Sequence, residues 1–194
     1  MTEEERQELL QELTAKKNAG TLSAKDRFAI PPQEMPQQDP TARRNNINEV
    51  ALGYTEAEAR LEAMRCLQCK TAPCVQGCPV QIRIRDFVAA IAEGRYAEAL
   101  QIIKENSLLP AVCGRVCPQE VQCQEKCTVG LKFKDVSKAV SIGRLERFVA
   151  DYEREHDLIE LPDKAAPTGK RVAVVGSGPA GLTVAGDLIL LGHE

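Results

Sequence analysis

Eight cysteines in two tight groups are the residues of this sequence best suited to chemistry. The first group reads Cys66-x2-Cys69-x4-Cys74-x3-Cys78-Pro79, and the second reads Cys113-x3-Cys117-Pro118-x5-Cys123-x3-Cys127. An even number of cysteines permits disulfides, but in a reducing compartment, which the rest of the sequence favours, clustered cysteines more often bind metal. The two groups therefore predict metal ligation.

The spacing of the thiols separates two kinds of metal site. Zinc sites usually pair two short cysteine knuckles, across a longer spacer, around a single ion. Here four thiols fall within 13 residues in the first group and within 15 in the second, and a proline follows Cys78 and Cys117. Tight cysteine groups ending in Cys-Pro are typical of iron–sulfur proteins, in which soft thiolates hold the irons. We therefore expect two [4Fe–4S] clusters, and a zinc-binding interaction domain is the alternative.

A glycine-rich turn near the C-terminal end is a second candidate site. RVAVVG predicts a buried strand of the parallel type and LTVAGDLILLG predicts a helix. Between them, Gly176, Gly178, Pro179, Ala180 and Gly181 form a G-x-G-x-x-G pattern, which lets a pyrophosphate approach a helix N-terminus. This predicts the phosphate half of a dinucleotide site in the first β–α unit of a Rossmann domain; a glycine-rich turn without a ligand is the alternative. Because one such unit cannot bury both faces of a sheet, we expect a longer polypeptide.

Composition and charge exclude several classes of function. The net charge of −3 gives no basic patch for nucleic acid, and no run of 18 apolar residues suits a membrane span. The N-terminus is acidic and amphipathic, unlike a signal peptide, so we expect a cytoplasmic protein. His156 and His193 are isolated, and no catalytic triad or carboxylate pair is present.

Helical segments are predicted to position the cysteines. One helix is expected over residues 2–18, and another begins at Thr55 and ends at the first cysteine group, each with capping-box spacing. An apolar stripe that includes Ile84, Phe87, Val88 and Ile91 predicts core helices between the groups. A long helix is expected over 137–155, after the second group. The predicted fold is therefore mainly α.

Composition shifts divide the chain into four parts. Residues 1–45 are predicted to form an N-terminal helix and an extended proline-rich segment that lies on the surface of another domain. The alternative is that the proline-rich segment is partly disordered. Residues 46–161 are the predicted helical cluster domain, 162–169 a Pro/Gly linker, and 170–194 the start of a truncated FAD-binding Rossmann domain.

Four motifs in this order resemble one protein family. CLQCKTAPCVQGCPVQIRIRDF, CGRVCPQEVQCQEKC, SIGRLERF and VAVVGSGPAGL are similar to the N-terminal part of the NAD(P)H-dependent glutamate synthase small (beta) subunit, over roughly residues 45–194. The module is shared with dihydropyrimidine dehydrogenase and with the large subunit of NADH-dependent ferredoxin:NADP oxidoreductase. The resemblance implies an α-helical ferredoxin-like domain with two [4Fe–4S] clusters, followed by FAD- and NAD(P)H-binding Rossmann domains.

The resemblance also implies that the ligands of the two clusters are interleaved. It assigns to the first cluster Cys66, Cys69, Cys74 and Cys127. It assigns to the second cluster Cys78, Cys117, Cys123 and Glu146. Cys113 is then a structural thiol that binds no iron. Two alternatives remain open: Glu146 is an ordinary surface residue paired with a nearby cation, or Cys113 is the eighth ligand.

By this resemblance the chain is an electron-transfer module of a flavin oxidoreductase and lacks a complete active site. NAD(P)H would reduce FAD, and the clusters would relay single electrons to a partner, in glutamate synthase the large subunit. The same module in a bifurcating ferredoxin:NADP oxidoreductase or in a dihydropyrimidine dehydrogenase-like enzyme is the alternative, because nothing in residues 1–194 recognises the final substrate.

Overall fold

A computed structural model describes all of residues 1–194. It is mainly helical, as predicted, and contains no β-strand. The α-helices in chain order are α1 (Glu3–Asn18), α2 (Ala24–Ala29), α3 (Glu56–Met64), α4 (Pro73–Gln76), α5 (Ile84–Ala92), α6 (Tyr96–Lys104), α7 (Pro110–Val116), α8 (Thr128–Phe133), α9 (Ile142–Glu155) and α10 (Pro179–Leu190). Three 3₁₀ segments are Ala42–Asn45, Gln119–Val121 and Val136–Lys138. None of the helices combines the length and apolar character that crossing a membrane requires.

Side-chain caps fix where the first helices begin. Thr2 caps α1 and Thr55 caps α3, each in a reciprocal capping box with the glutamate three residues on, which confirms both predicted helix starts. The short helix α2 was not predicted. It carries the same signal, because the side chain of Ser23 accepts from the Asp26 backbone N–H and the Asp26 carboxylate accepts from that of Ser23.

The core lies between helices α3, α5, α6 and α9. Helices α5 and α6 form a hairpin that turns at Gly94, whose positive φ of 77° suits glycine. The predicted apolar stripe of α5 is buried, as expected. The most deeply buried large apolar side chains come from all four helices and are Leu61, Met64, Phe87, Val88, Ile91, Leu100, Ile103, Leu145 and Val149.

A charged pair is buried inside this apolar core. Glu62 and Arg65 on and just after α3 are 0% and 2% exposed, and Arg65 Nη1 donates to Glu62 Oε1 at 2.6 Å. The Glu62 carboxylate also accepts from the backbone N–H of Gln33 at 2.9 Å and of Ser141 at 2.8 Å. Arg65 donates further to the carbonyls of Lys138 and Ala139. The pair therefore joins three segments that are far apart in sequence.

The same pair explains why α9 begins later than predicted. We expected a helix over 137–155, but a 3₁₀ turn ends at Lys138 and α9 begins at Ile142. The carbonyls of Lys138 and Ala139 and the N–H of Ser141 bond to Arg65 and Glu62 instead of to a continuous helix. Tertiary contacts thus take the backbone groups that the first turns would need.

The proline-rich segment between α2 and the first 3₁₀ turn contains no helix. Arg27 Nη1 donates to the carbonyls of Met64 and Cys66 at 2.9 and 2.7 Å. Further along, Gln37 pairs with Ala51 in an isolated antiparallel bridge. These contacts tie the N-terminal segment to the end of α3 and to the chain that precedes α3.

The predicted strand in RVAVVG is wrong, and with it the predicted β–α unit as a whole. Residues 171–176 form no strand, and Val175 is fully exposed. The helix that follows is present as α10. The segment predicted to be a strand makes backbone hydrogen bonds to Glu194 alone. The Lys170 carbonyl accepts from the Glu194 N–H, and the Val172 N–H donates to the Glu194 carbonyl. A strand requires a ladder over several residues, and no second strand is available here to supply one.

We predict that replacing Arg65 by methionine strongly destabilises the domain. The substitution Arg65→Met leaves the Glu62 carboxylate buried without its cation, which costs about 3–5 kcal/mol in comparable buried pairs. Urea unfolding followed by circular dichroism should show a clearly lower midpoint. The matched control is Arg95→Met, which removes a surface arginine paired with Glu93 and Glu98 and should keep the wild-type midpoint. Equal midpoints for the two variants would contradict a structural role for the buried pair.

Candidate metal centres

The first cysteine group is positioned by the end of α3 and by two left-handed turns. Cys66 directly follows Arg65, the C-cap residue of α3, and the two carbonyls around it are held by Arg27. Gln68 and Ala72 have positive φ values of 54° and 41°, which are unfavourable for residues with a side chain. Such strain is maintained only by surrounding structure and often marks a functional loop. The loop brings Cys74 of α4 and Cys66 to the same cavity.

The second cysteine group spans the junctions between α7, a 3₁₀ turn and α8. Cys113 lies within α7, and Cys117 is its C-cap residue. Cys123 follows the 3₁₀ turn, and Cys127 is the N-cap residue of α8. Cys123 and Cys127 are buried, whereas the other six cysteines are partly exposed. Cys117 and Cys127 thus lie at helix ends, whereas Cys113 lies inside α7.

The structure brings the predicted ligands of the first cluster together around one cavity. Its thiol lining comes from both groups and consists of Cys66, Cys69, Cys74 and Cys127. Apolar side chains such as Ile84, Val88 and Val140 form most of the remaining wall. The start of α8 therefore meets the loop between α3 and α4, and the two cysteine groups share this cavity.

A second cavity collects the predicted ligands of the other cluster. Its lining includes Cys78, Cys117, Cys123 and Glu146, and it also includes Cys113. The alternative of a surface ion pair for Glu146 is not found, because this side chain is buried and has no hydrogen-bond partner for its Oε1 atom. Both candidates for the eighth ligand thus border the same cavity.

Glu146 is an unpartnered acid in this cavity. Its Oε1 atom is buried and has no hydrogen-bond partner, although buried polar atoms are almost always paired. Burial raises the pKa of Glu146 to about 7, because desolvation disfavours the carboxylate. This oxygen has no hydrogen-bond donor among the protein groups, and its side chain borders a thiol-lined cavity. This observation fits a metal at the site.

The thiols around both cavities are poor acids when only protein surrounds them. Burial, with a smaller contribution from neighbouring thiols, raises the pKa of Cys66 to about 11 and the pKa of both Cys74 and Cys123 to about 12. Burial also raises the pKa of Cys113 and Cys117. Iron binds the thiolate and deprotonates a coordinating thiol, so cluster binding would release protons and remove this cost.

The donor set suits iron–sulfur clusters better than single ions. No group of three or more His, Cys, Asp or Glu side chains converges closely enough to hold one metal ion. A tetrahedral zinc site needs four sulfurs about 2.3 Å from a single atom. The thiols instead surround cavities, as a multi-iron cluster bound at its corners requires. The residues present therefore fit [4Fe–4S] groups.

Two glycines allow the helix that carries Glu146 to approach the second cavity. A Cβ added at Gly114 in α7 would lie 2.6 Å from the backbone nitrogen of Arg147 in α9. A Cβ added at Gly143 would overlap the buried side chain of Gln119. These close approaches were not predicted from sequence, although the glycine inside Cys113-Gly114-Arg115 was visible there.

The glycine-rich turn is formed even without its predicted strand. Gly176 has a φ of +121°, Gly178 is the N-cap residue of α10, and Pro179 and Ala180 begin the helix. A Cβ added at Gly181 would lie 2.2 Å from the Gly176 carbonyl oxygen, so only glycine fits. The turn therefore presents the start of a twelve-residue helix, which suits an anion.

Sequence reasoning missed the polar residues that contact the cysteines. Thr128 Oγ1 lies 3.2 Å from Cys69 Sγ, and Gln122 Oε1 lies 3.1 Å from Cys117 Sγ. Gln68 Nε2 donates to Cys66 Sγ at 3.4 Å. Each is close to a cysteine in sequence, so adjacency was the available signal, but orientation depends on the loop conformations.

Thiol-lined cavities, a helical scaffold and an unpartnered carboxylate define this chain as a member of the iron–sulfur electron-transfer modules of oxidoreductases. The family model described as dihydropyrimidine dehydrogenase domain II, 4Fe-4S cluster, matches residues 43–158. The chain belongs to this family.

Similar proteins carry the same module in different enzymes. The chain is 39% identical over 160 residues to the NAD-dependent dihydropyrimidine dehydrogenase subunit PreT of Escherichia coli (strain K12), covering 82% of this chain and 36% of that protein. It is 32% identical over 168 residues to the glutamate synthase [NADPH] small chain of Azospirillum brasilense, covering 86% and 34%. It is 42% identical over 123 residues to the NADPH-Fe(3+) oxidoreductase subunit beta of Geobacter sulfurreducens (strain DL-1 / KN400), covering 63% and 17%. The chain spans about a third of the length of the first two relatives.

We predict that Gly114→Ala selectively damages the second cavity. The added methyl group collides with the backbone of α9, so α7 and α9 must separate and Glu146 must move. Iron analysis and EPR should show loss or alteration of the second cluster with the first retained. Val112→Ala on the exposed side of α7 is the control and should keep all iron. An unaltered EPR spectrum in Gly114→Ala would contradict this account of the helix contact.

Proposed function

We propose that this chain holds two [4Fe–4S] clusters and relays single electrons between a flavin and a redox partner. The observation that carries the proposal is the cavity shared by the two cysteine groups, in which Cys127 lies with three thiols of the first group. Two separate metal knuckles would not need such sharing. Both clusters then belong to one folding unit, residues 46–161.

The proposed ligands are those that the family resemblance implies, and the two cavity linings support them. The first cluster is held by Cys66, Cys69, Cys74 and Cys127. The second is held by Cys78, Cys117, Cys123 and Glu146. Cys113 borders the second cavity as a structural thiol, 3.9 Å from the hydroxyl of Ser107. The unpartnered Oε1 of Glu146 supports the choice of Glu146, because metal ligation would satisfy an atom that the protein leaves unpaired.

When bound, the clusters supply one-electron chemistry, which a flavin needs to pass on the two electrons of a hydride. The protein would hold the clusters in largely apolar cavities, to which Cys123 and Cys127 contribute buried thiols and the other ligands partly exposed ones. An oxygen ligand and hydrogen bonds to sulfur set the potentials. The two sites differ in both respects, so they are suited to different potentials.

The enzyme that this module serves is proposed from its relatives. We favour the small subunit of an NAD(P)H-dependent glutamate synthase, in which electrons pass from NAD(P)H through FAD and the clusters to the large subunit. The identity to PreT, 39% against 32% to the Azospirillum brasilense glutamate synthase small chain, supports a pyrimidine-reducing enzyme as the second candidate. A ferredoxin:NADP oxidoreductase is a third. Co-purification with a glutamine-dependent large subunit, and glutamate formation from 2-oxoglutarate, would distinguish the first candidate from the other two.

A flavin phosphate is the proposed ligand of the glycine-rich turn. Gly176, Gly178, Pro179, Ala180 and Gly181 would face the pyrophosphate of FAD, and the N–H groups at the start of α10 would donate to it. The positive φ of Gly176 and the lack of space at Gly181 support this role. NAD(P)H would bind elsewhere in the longer enzyme, whose proposed compartment is the cytoplasm.

The interleaved ligation makes a sharp prediction for Cys127. Anaerobically purified protein should be brown and contain about eight irons per chain, whereas a colourless protein with stoichiometric zinc would favour the interaction-domain alternative.

The variant Cys127→Ser should remove the same EPR signal as Cys69→Ser. Cys123→Ser should remove the other signal. If Cys127→Ser and Cys123→Ser affect one signal in common, the two groups bind their clusters separately and the proposed ligation is wrong.

The eighth ligand can be identified by a pair of variants at the second cavity. Glu146→Ala should alter the second EPR signal, because the cluster loses an oxygen ligand, and should leave the first signal intact. Cys113→Ser should retain both signals and all iron. The opposite pattern, with a cluster lost only in Cys113→Ser, would assign the ligand to Cys113.

A further inference from the structure

The sulfur atoms of the first cavity have polar neighbours on two sides. Thr128 Oγ1 lies 3.2 Å from Cys69 Sγ, and both residues border the cavity. Gln68 Nε2 lies 3.4 Å from Cys66 Sγ and also donates to the Arg85 carbonyl at 3.3 Å. The Thr128 hydroxyl makes no other hydrogen bond to the protein. It is therefore the neighbour whose hydrogen bonding is dedicated to a sulfur atom.

The direction of this hydrogen bond depends on the state of Cys69. With a protonated thiol, the sulfur donates to the threonine oxygen, which is the arrangement in the structure. An iron-bound thiolate has no proton to donate. The hydroxyl of Thr128 then holds the only proton between the two atoms and must donate to sulfur. Because a hydroxyl can rotate, this reversal needs no movement of the backbone.

The second cavity does not offer the same contact. At Cys117 the atom next to the sulfur is Oε1 of Gln122, a carbonyl oxygen that can accept but not donate. Its neighbour Glu146 is also an acceptor once it is ionised. The hydroxyl of Ser107 lies 3.9 Å from Cys113, which is not a proposed ligand. Among the proposed ligands, only Cys69 of the first cavity therefore has a hydroxyl in position to donate.

We propose that Thr128 donates a hydrogen bond to the Cys69 thiolate and thereby raises the reduction potential of the first cluster. The inference rests on the proposed binding of two clusters. Reduction adds an electron, and the added negative charge is shared with the sulfur ligands, so a donor stabilises the reduced form more than the oxidised form. Thr128 acts through Cys69 and is not itself a ligand. A more positive potential at the first cluster would make it the acceptor of electrons from the second.

Two variants at one position test the proposal. Thr128→Val keeps the shape of the side chain and removes the hydroxyl, whereas Thr128→Ser keeps the hydroxyl. The potential is measured by EPR-monitored redox titration of the anaerobic protein, on the signal that Cys127→Ser removes. In Thr128→Val the ratio of reduced to oxidised first cluster at a fixed potential should fall about tenfold, which corresponds to 59 mV for one electron. Thr128→Ser should remain near the wild-type value, and the second signal should not move in either variant.

The outcomes separate this inference from the proposed function. Absence of iron from the wild-type protein would reject the function itself. Two intact clusters with an unchanged first potential in Thr128→Val would reject only the role of Thr128. If Thr128→Val loses iron, Thr128→Ala tests the same hydroxyl without placing a methyl group beside the sulfur. Loss of the first cluster in both, with retention in Thr128→Ser, would show that the hydroxyl is needed for binding and would overturn its assignment as a tuning group.

Discussion

The carboxylate of Glu62 connects the segments that carry both candidate sites. It is fully buried and accepts hydrogen bonds from Arg65, from the backbone of Gln33 and from the backbone of Ser141. Arg65 directly precedes Cys66, and Ser141 directly precedes the helix that carries Glu146. A buried charge is costly unless it is fully paired, so these segments have little freedom to separate. The positions of a first-site thiol and of the second-site carboxylate are thus coupled to one buried pair.

Sharing of cysteines between the groups has a consequence for folding. The thiol of Cys127 meets the first cavity only when α8 has packed against the loop that follows α3. The same packing buries the thiols of Cys66 and Cys74, and this burial raises their pKa values. Without metal these thiols therefore stay protonated, and iron must displace the protons before it can bind. Cluster binding and tertiary packing therefore support each other, as in other proteins whose metal site exists only in the folded state.

Parts of the fold and of the site could be predicted because they depend on neighbouring residues. The capping boxes at Thr2 and Thr55 fixed two helix starts, and the apolar spacing of α5 indicated its buried face. The start of α9 could not be predicted in this way, since Arg65 and Glu62 take backbone groups that a longer helix would use. The strand before Gly176 had suitable residues, but a strand also depends on pairing partners elsewhere in the chain.

From the sequence alone came the donor chemistry: eight thiols whose types and spacing favour iron–sulfur clusters, and a glycine pattern suited to a phosphate. Resemblance suggested the interleaved ligands, which spacing could not. The tertiary structure decided which side chains meet, bringing Cys127 to the first cavity and leaving Oε1 of Glu146 unpartnered at the second. It also placed the hydroxyl of Thr128 beside Cys69. The reason is physical: local spacing fixes distances over a few residues, whereas contacts between distant segments depend on how the helices pack around the buried core.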